Sequence, residues 1–252
     1  MKQKQISSKG LITRCTNYKE SDRIFTLISE EHGLMKFIAR GAKKPKSKLS
    51  GHIEPLNYIN VFYRKGVGLS AVSQVESLNS FLDIKKNYDL ILEAQYLMEL
   101  AENLSVEGEA NSFLFKSLIN TLSNITSSAN TDIQIMIFEF EILKQQGFGI
   151  QVFDCINCNK LLSRSDHFFS SFMGGFLCDK CLAANLSGGE LKRVSISNQL
   201  LLRNISRKNY TSILNADISE VDISDIRKLL QNSIRDLMGV QLKTVNFQLK
   251  SK

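Results

Sequence analysis

The sequence predicts an α+β protein, a small N-terminal β-barrel over residues 1–80 followed by a helical domain over residues 81–252. Three observations carry this. Short apolar segments separated by turn residues run to about Ser77, and from about Tyr88 the apolar period becomes helical. Four cysteines, Cys155, Cys158, Cys178 and Cys181, stand in a C-x2-C-x19-C-x2-C pattern inside the helical part, within a turn-rich segment spanning 150–185. Net positive charge is confined to the start: residues 1–70 hold 14 Lys/Arg against 5 Asp/Glu, whereas the remaining 182 hold 18 against 20.

The predicted strands are Leu11-Ile12-Thr13, Ile24 to Ile28, Leu34 to Ala39, Tyr58 to Tyr63 and Leu69 to Val72, with Gly33, Gly41, Gly51, Gly66 and Gly68 near their ends. Five short strands in about 70 residues make a barrel or a sandwich. The OB-fold matches that size, although periodicity does not select it. Asn87 caps a helix running to Asn103, with Leu90, Leu97 and Ala101 on one face. A second helix, Ser112 to Thr126, places Leu114, Leu118, Leu122 and Ile125 on one stripe. Thr131 and Gln134 form a capping box for a third, which buries Ile133, Met136, Ile137, Phe140 and Leu143 and stops at Gly147. Two later helices are expected, capped by Ser197 and by Ser224, the second ending at Gly239.

Each C-x-x-C pair turns two thiolates toward one point, and two pairs close a tetrahedral shell of four sulfurs, the geometry of one structural Zn2+. Asn157 and the Gly174-Gly175 pair supply the turns such knuckles need. A dithiol redox site is the weaker reading, since no thioredoxin-like βαβ pattern surrounds the cysteines. Catalytic zinc would need an open coordination position, which four thiolates fill. His167 lies between the pairs and is expected as an exposed loop residue; Cys15 is expected as a small buried one.

Arg40, Lys43, Lys44, Lys46 and Lys48 carry five positive charges without an acid, in a stretch with Gly41 and Pro45 that reads as a flexible loop. Arg64 and Lys65, at the next strand end, extend the same basic face. Such a face suits nucleic acid: five cations on a single strand give a slope of log K against log salt of about −3.5. These contacts position a strand without reading its bases. A solvated charged loop and an anionic lipid contact remain the alternatives. Phe37, Tyr58, Phe62 and Tyr63 are candidate stacking platforms, though most aromatics of a small barrel belong to its core.

Enzymatic signatures are absent: there is no phosphate-binding G-x-x-x-x-G-K-[ST] loop, nucleophile elbow or H-E-x-x-H. Glu20 and Asp22 flank Ser21 in a turn and are read as capping or ion-pairing acids rather than a catalytic pair, and no catalytic residue is assigned. No apolar run approaches a membrane span, and the basic N-terminus leads into no signal core, so an unsecreted, cytoplasmic protein without a membrane partner is expected.

Gly10-Leu11-Ile12, Tyr18 to Ile24, His32-Gly33-Leu34, Ala39 to Leu49 and Pro55-Leu56 resemble the N-terminal signature of the RecO family of recombination mediators. The likeness continues through Tyr96, Glu99-Leu100, Phe148-Gly149 and the cysteine quartet. It departs at Ile150, where the family commonly has proline, and at Asn159, where glycine often follows the second cysteine. The resemblance implies an OB-fold, a helical bundle and a zinc-binding insertion that acts as scaffold. It also implies binding of single- and double-stranded DNA, annealing of complementary strands without ATPase activity, and work with RecR. RecF, RecA and the C-terminal tail of the single-strand-binding protein are the other partners it implies. The family's DNA-contacting loop falls on Arg40, Lys43, Lys44, Lys46 and Lys48. A zinc-containing transcription or RNA-binding factor is the rival reading.

Overall fold

Five strands follow one another in the N-terminal part: β1 (Ile6–Tyr18), β2 (Asp22–Ser29), β3 (Gly33–Ala39), β4 (Tyr58–Arg64) and β5 (Ser70–Asn79). In the computed structural model, which describes residues 6–66, 68–126, 130–184, 191–239 and 241–248, they close into a barrel of order β1-β2-β3-β5-β4. Closure depends on the length of β1. Its first half pairs with β4 (Ile6↔Tyr63 to Leu11↔Tyr58) and its second half with β2 (Gly10↔Ser29 to Tyr18↔Asp22). A register shift between Ile12 and Arg14 lets the strand bend from one neighbour to the other. β3 and β5 meet in parallel, the single parallel pairing of this barrel. This is the five-stranded, OB-like arrangement that the size of the region suggested.

All five expected strands are present, but β1 and β5 run well beyond their apolar centres. Their extensions are mostly polar, with Ser7, Lys9, Thr16, Asn17, Gln74, Glu76, Ser77 and Asn79 exposed, and so give only a weak hydrophobic trace in the sequence. The core is Ile12, Phe25, Leu27, Phe37, Ala39, Ile59, Val61, Tyr63 and Val75, with Ala42 and Ile53 from the β3–β4 connection. Phe25 stacks on Phe37, with ring centroids 5.4 Å apart, and Phe37 meets the edge of Tyr63 at 5.0 Å.

Short helix α1 (Leu82–Lys85) leads into α2 (Tyr88–Asn103) and α3 (Ser112–Asn124). Asn87 caps α2 by accepting from the Asp89 and Leu90 N–H groups, as expected. Ala94, Tyr96, Leu97, Met98, Leu100 and Ala101 form its buried side, while Leu90 is only half-buried. The segment between α2 and α3 seats on the β2–β3 hairpin, where the Leu34 N–H donates to the Val106 carbonyl at 3.1 Å. Gly33 turns that hairpin at φ +60°, and a Cβ there would stand 2.1 Å from the Glu109 carbonyl oxygen. Gly33→Ala is therefore expected to cost more than about 1 kcal/mol, read as a lower denaturant midpoint at unchanged slope. An unchanged midpoint would refute this packing.

Helix α4 (Thr131–Gln145) begins the second part. Its N-cap position is Asn130, so Thr131 is the first helical residue rather than the head of a capping box. Ile133, Ile135, Met136, Phe138, Phe140, Ile142 and Leu143 are all buried, so α4 is enclosed on most sides rather than on one stripe. The cysteine segment then contributes β6 (His167–Ser170), β7 (Gly175–Leu177) and α5 (Asp179–Ala183), and β8 (Leu191–Val194) completes a sheet of order β7-β6-β8. Helices α6 (Ile196–Ser206), α7 (Tyr210–Leu214) and α8 (Glu220–Met238) follow. Their caps correct the sequence reading: Ser195, not Ser197, caps α6, and Ser219, not Ser224, caps α8. Gly239 ends α8 in the left-handed conformation, as anticipated. Arg227 of α8 pairs with Asp132 of α4.

The chain divides into two compact units, Met1–Thr126 with Leu242–Lys252, and Ser127–Gln241. Helix α9 (Lys243–Gln248) rejoins the first unit through Glu99 of α2. The Glu99 carboxylate accepts from the Lys243 and Thr244 N–H groups, both at 2.9 Å, and from the Thr244 hydroxyl at 2.6 Å. Among the described residues no helix is long and apolar enough to cross a membrane.

Candidate nucleic-acid interface and metal centre

One rim of the barrel collects the basic residues. Ile38 of β3 pairs with Ala71 of β5, and Ala71 pairs with Arg64 of β4, so Arg64 leaves the sheet in the same row as the start of the basic stretch. The pairing of Arg23 with Ala39 and of Tyr18 with Asp22 brings the β1–β2 turn to this rim as well. Arg40, Lys43, Lys44, Lys46, Lys48, Arg64 and Lys65 are all exposed. Lys19, exposed in the β1–β2 turn, and Arg23, half-buried in β2, lie at the same rim. The sequence reading passed over these two because neither lies in a charge run.

The basic stretch is held along its length, which corrects its description as a flexible loop. The Gly41 N–H donates to Asp22 Oδ1 at 2.8 Å and the Lys43 N–H to the Ser21 carbonyl at 2.9 Å. Between them Ala42 is fully buried in the barrel core. Successive turns, Lys44 N–H to the Gly41 carbonyl and Ser47 N–H to the Lys44 carbonyl, lead to Leu49, which packs on that core, and to Ile53 inside it. The small and apolar residues turn inward, so every lysine turns outward. Asp22 is thus a capping acid. The Gly41 N–H, with Ser21, Lys19 and Arg40, holds its carboxyl below the usual carboxylate range. Its anchoring is complete above the ordinary carboxylate pKa of 3.8 and is lost as pH falls through the depressed value. Asp22→Ala should weaken oligonucleotide binding while all seven cations remain. Full affinity in that variant would contradict a role for the anchored shape.

The aromatics sort cleanly. Phe37 and Tyr63 are core residues, and Tyr58 packs against Phe115 of α3 at 5.9 Å. Phe62 is half-buried on the outer face of β4. Tyr18 is 40% exposed at the rim, with the Lys19 ammonium 5.4 Å from its ring centre. Cys15, expected to be buried, is half-buried at the edge of the core.

The four cysteines of the second unit converge. All four sulfurs lie within 4.8 Å of one another, and those of Cys158 and Cys178 are 3.8 Å apart. Four thiolates about 2.3 Å from one zinc ion would stand about 3.8 Å from each other, so the cluster fits that ion. The first knuckle is closed by the Cys155 N–H donating to the Lys160 carbonyl and the Asn159 N–H donating to the Cys155 carbonyl, both at 2.8 Å. Asn159 completes it at φ +55°, a conformation asparagine tolerates and glycine adopts freely, which accounts for that departure from the family pattern. The second knuckle is the start of α5, with Cys178 as its N-cap and Cys181 inside it.

Further donors hold the sulfurs. The Cys178 N–H points at Cys155 Sγ and Asn157 Nδ2 at Cys181 Sγ, each at 3.3 Å. Burial pushes the Cys155 thiol up, but the N–H groups of Cys158, Cys178 and Asn157 together bring it down to about 6. Asn157 favours the thiolate of Cys181, yet desolvation and the three neighbouring sulfurs hold it up at about 11. Four thiolates so close repel one another, and a divalent cation is the partner that allows all of them to ionise.

His167 is neither a ligand nor an exposed loop residue. It is buried at the start of β6, with Nδ1 2.9 Å from Gln199 Oε1, and Gln199 Nε2 donates to the carbonyls of Ser165 and Val194. This polar clamp ties the small sheet to α6, and its span of 32 residues left no local signal.

The family model described as Recombination protein O N terminal matches residues 1–81, and the one described as Recombination protein O C terminal matches residues 86–245. The chain is 29% identical to the DNA repair protein RecO of Dehalococcoides mccartyi (strain CBDB1), over 94% of this chain and 92% of that protein. It is 28% identical to the protein of the same name from Bacillus pumilus (strain SAFR-032), over 96% and 93%. It is 34% identical to that of Clostridium perfringens (strain 13 / Type A), over 70% and 72%. None of these names denotes a catalytic activity.

Proposed function

The chain belongs to the recombination protein O family, and from that premise we propose that it is a non-enzymatic mediator of DNA repair and recombination. It binds single- and double-stranded DNA, anneals complementary strands, and with RecR helps load RecA onto DNA coated by single-strand-binding protein, engaging that protein's C-terminal tail and acting with RecF at gaps. The observation that carries this reading is the anchored row of outward-facing cations at the barrel rim, Arg40, Lys43, Lys44, Lys46 and Lys48 with Arg64 and Lys65. A rigid row of cations follows a phosphate backbone without preference for its bases, which is what annealing of arbitrary sequences requires.

In this reading residues 1–80 form the DNA-binding OB domain of a cytoplasmic protein, and residues 81–252 the helical domain. One structural zinc ion on Cys155, Cys158, Cys178 and Cys181 supports the fold. The test is annealing of complementary strands coated with single-strand-binding protein, without nucleotide, in the presence and absence of RecR. Acceleration that RecR increases is expected. No acceleration in either case, or a selected consensus sequence, would overturn the proposal, the latter in favour of a sequence-reading factor.

A further inference from the structure

A second cationic cluster lies in the unit that carries the cysteines. Arg203 lies in the last turn of α6, and Arg207, its C-cap, follows one turn later on the same side. Arg203 Nε donates to the Val152 carbonyl at 2.8 Å, which fixes the plane of its guanidinium, and the Arg207 guanidinium sits 4.9 Å from the centre of the Phe153 ring. Arg164 reaches the same place from the connection before β6, because the Leu162 N–H donates to the Phe153 carbonyl at 2.9 Å. Three arginines thus gather around residues 152–153.

Among the described residues none of the three arginines forms an ion pair with an acid. Burial lowers the Arg203 pKa, and the charges that act on it, those of Arg207 and Arg164, lower it further. Arg203 Nη2 is shut off from solvent and has no hydrogen-bond partner among the described residues. Three like charges gathered around one short segment repel one another, and an anion on the open side of the cluster would offset that repulsion. Arg164 and Arg207 are exposed, so the open side of the cluster faces solvent. The exposed guanidiniums of Arg164 and Arg207 present donors suited to the oxygens of a phosphate, and the pinned Arg203 beside them adds its positive charge to the same field.

We propose that Arg164, Arg203 and Arg207 form a second phosphate-binding site, which takes the sugar–phosphate backbone of a nucleic-acid strand independently of the barrel rim. The inference rests on the reading of the chain as a DNA-binding protein. It adds that an annealing protein holds nucleic acid through both of its compact units. A phosphate backbone is favoured over an acidic peptide because three converging guanidiniums match repeated, closely spaced oxyanions. The Phe153 ring, already covered by Arg207, offers a peptide side chain no open apolar pocket.

The test uses the full zinc-loaded chain and a fluorescent oligothymidylate, comparing wild type with R164Q/R207Q, a pair that leaves the Arg203 to Val152 bond intact. If each arginine neutralises one phosphate, the slope of log K against log salt becomes shallower by about 1.4, and affinity at 0.1 M salt falls on the order of 25-fold. Melting temperature and zinc content should not change. K43E/K44E/K46E, measured alongside, separates the two claims. Loss in the rim variant but not in R164Q/R207Q overturns the second site and leaves the rim reading standing. Loss in R164Q/R207Q alone supports the second site and overturns the rim. A labelled acidic peptide is the control: if R164Q/R207Q loses the peptide and keeps the oligonucleotide, the site is not one for nucleic acid.

Discussion

K43E/K44E/K46E is expected to lose single-strand affinity on the order of 100-fold at 0.1 M salt. Each phosphate contact on a single strand contributes about 0.7 to the salt slope, so three lost contacts remove about 2.1 from it. Charge reversal adds repulsion, so the stated loss is a lower bound. All three side chains are exposed, whereas the inward anchors of the segment, Ala42, Leu49 and Ile53, are untouched. The Asp22 bond to the Gly41 N–H also remains. The melting temperature should therefore stay close to that of wild type, and binding should fail without unfolding. An unchanged slope would remove the rim from the DNA contact.

Cys155→Ser is expected to abolish metal binding and to lower the melting temperature. Cys155 is fully buried, its sulfur accepts from the Cys178 N–H, and its backbone closes the first knuckle. A hydroxyl neither ionises at neutral pH nor replaces a thiolate in the shell. Zinc bound to four cysteines contributes on the order of 10 kcal/mol to local folding, so a large share of the order of the cysteine segment depends on it. The ligands bind as thiolates, so metal affinity should also fall as pH is lowered. Metal analysis and thermal melts with and without chelator check both statements. A metal-free chain that melts with the loaded one would contradict the structural role. Annealing measured on the same variant tells whether the metal is scaffold alone.

Much of this was legible in the chain itself because the physics was local. Apolar alternation found part of every barrel strand, though only the first residues of β5, and ligand spacing alone located the cysteine cluster. Charge segregation pointed to the rim. What escaped depended on partners distant in sequence or on competition between equals. The long ends of β1 carry polar residues on a solvated face and give no signal until β2 and β4 are present to pair with them. Several serines compete as caps before α6 and α8. Ser195 and Ser219 win because their hydroxyls reach the N–H groups of Asn198 and Asp222, a matter of backbone entry rather than residue type. The bond from Asp22 to Gly41 spans 19 residues, and it is the bond that turns an apparently free basic loop into a fixed row. His167 was misplaced for the same reason, since its partner Gln199 is remote in sequence.

The most direct test of the rim as the working surface is the annealing rate of two complementary oligonucleotides, without nucleotide, with the wild-type chain and with K43E/K44E/K46E. The account predicts clear acceleration by wild type and close to the spontaneous rate with the variant, at equal zinc content and equal melting temperature. Equal acceleration by both proteins would contradict it.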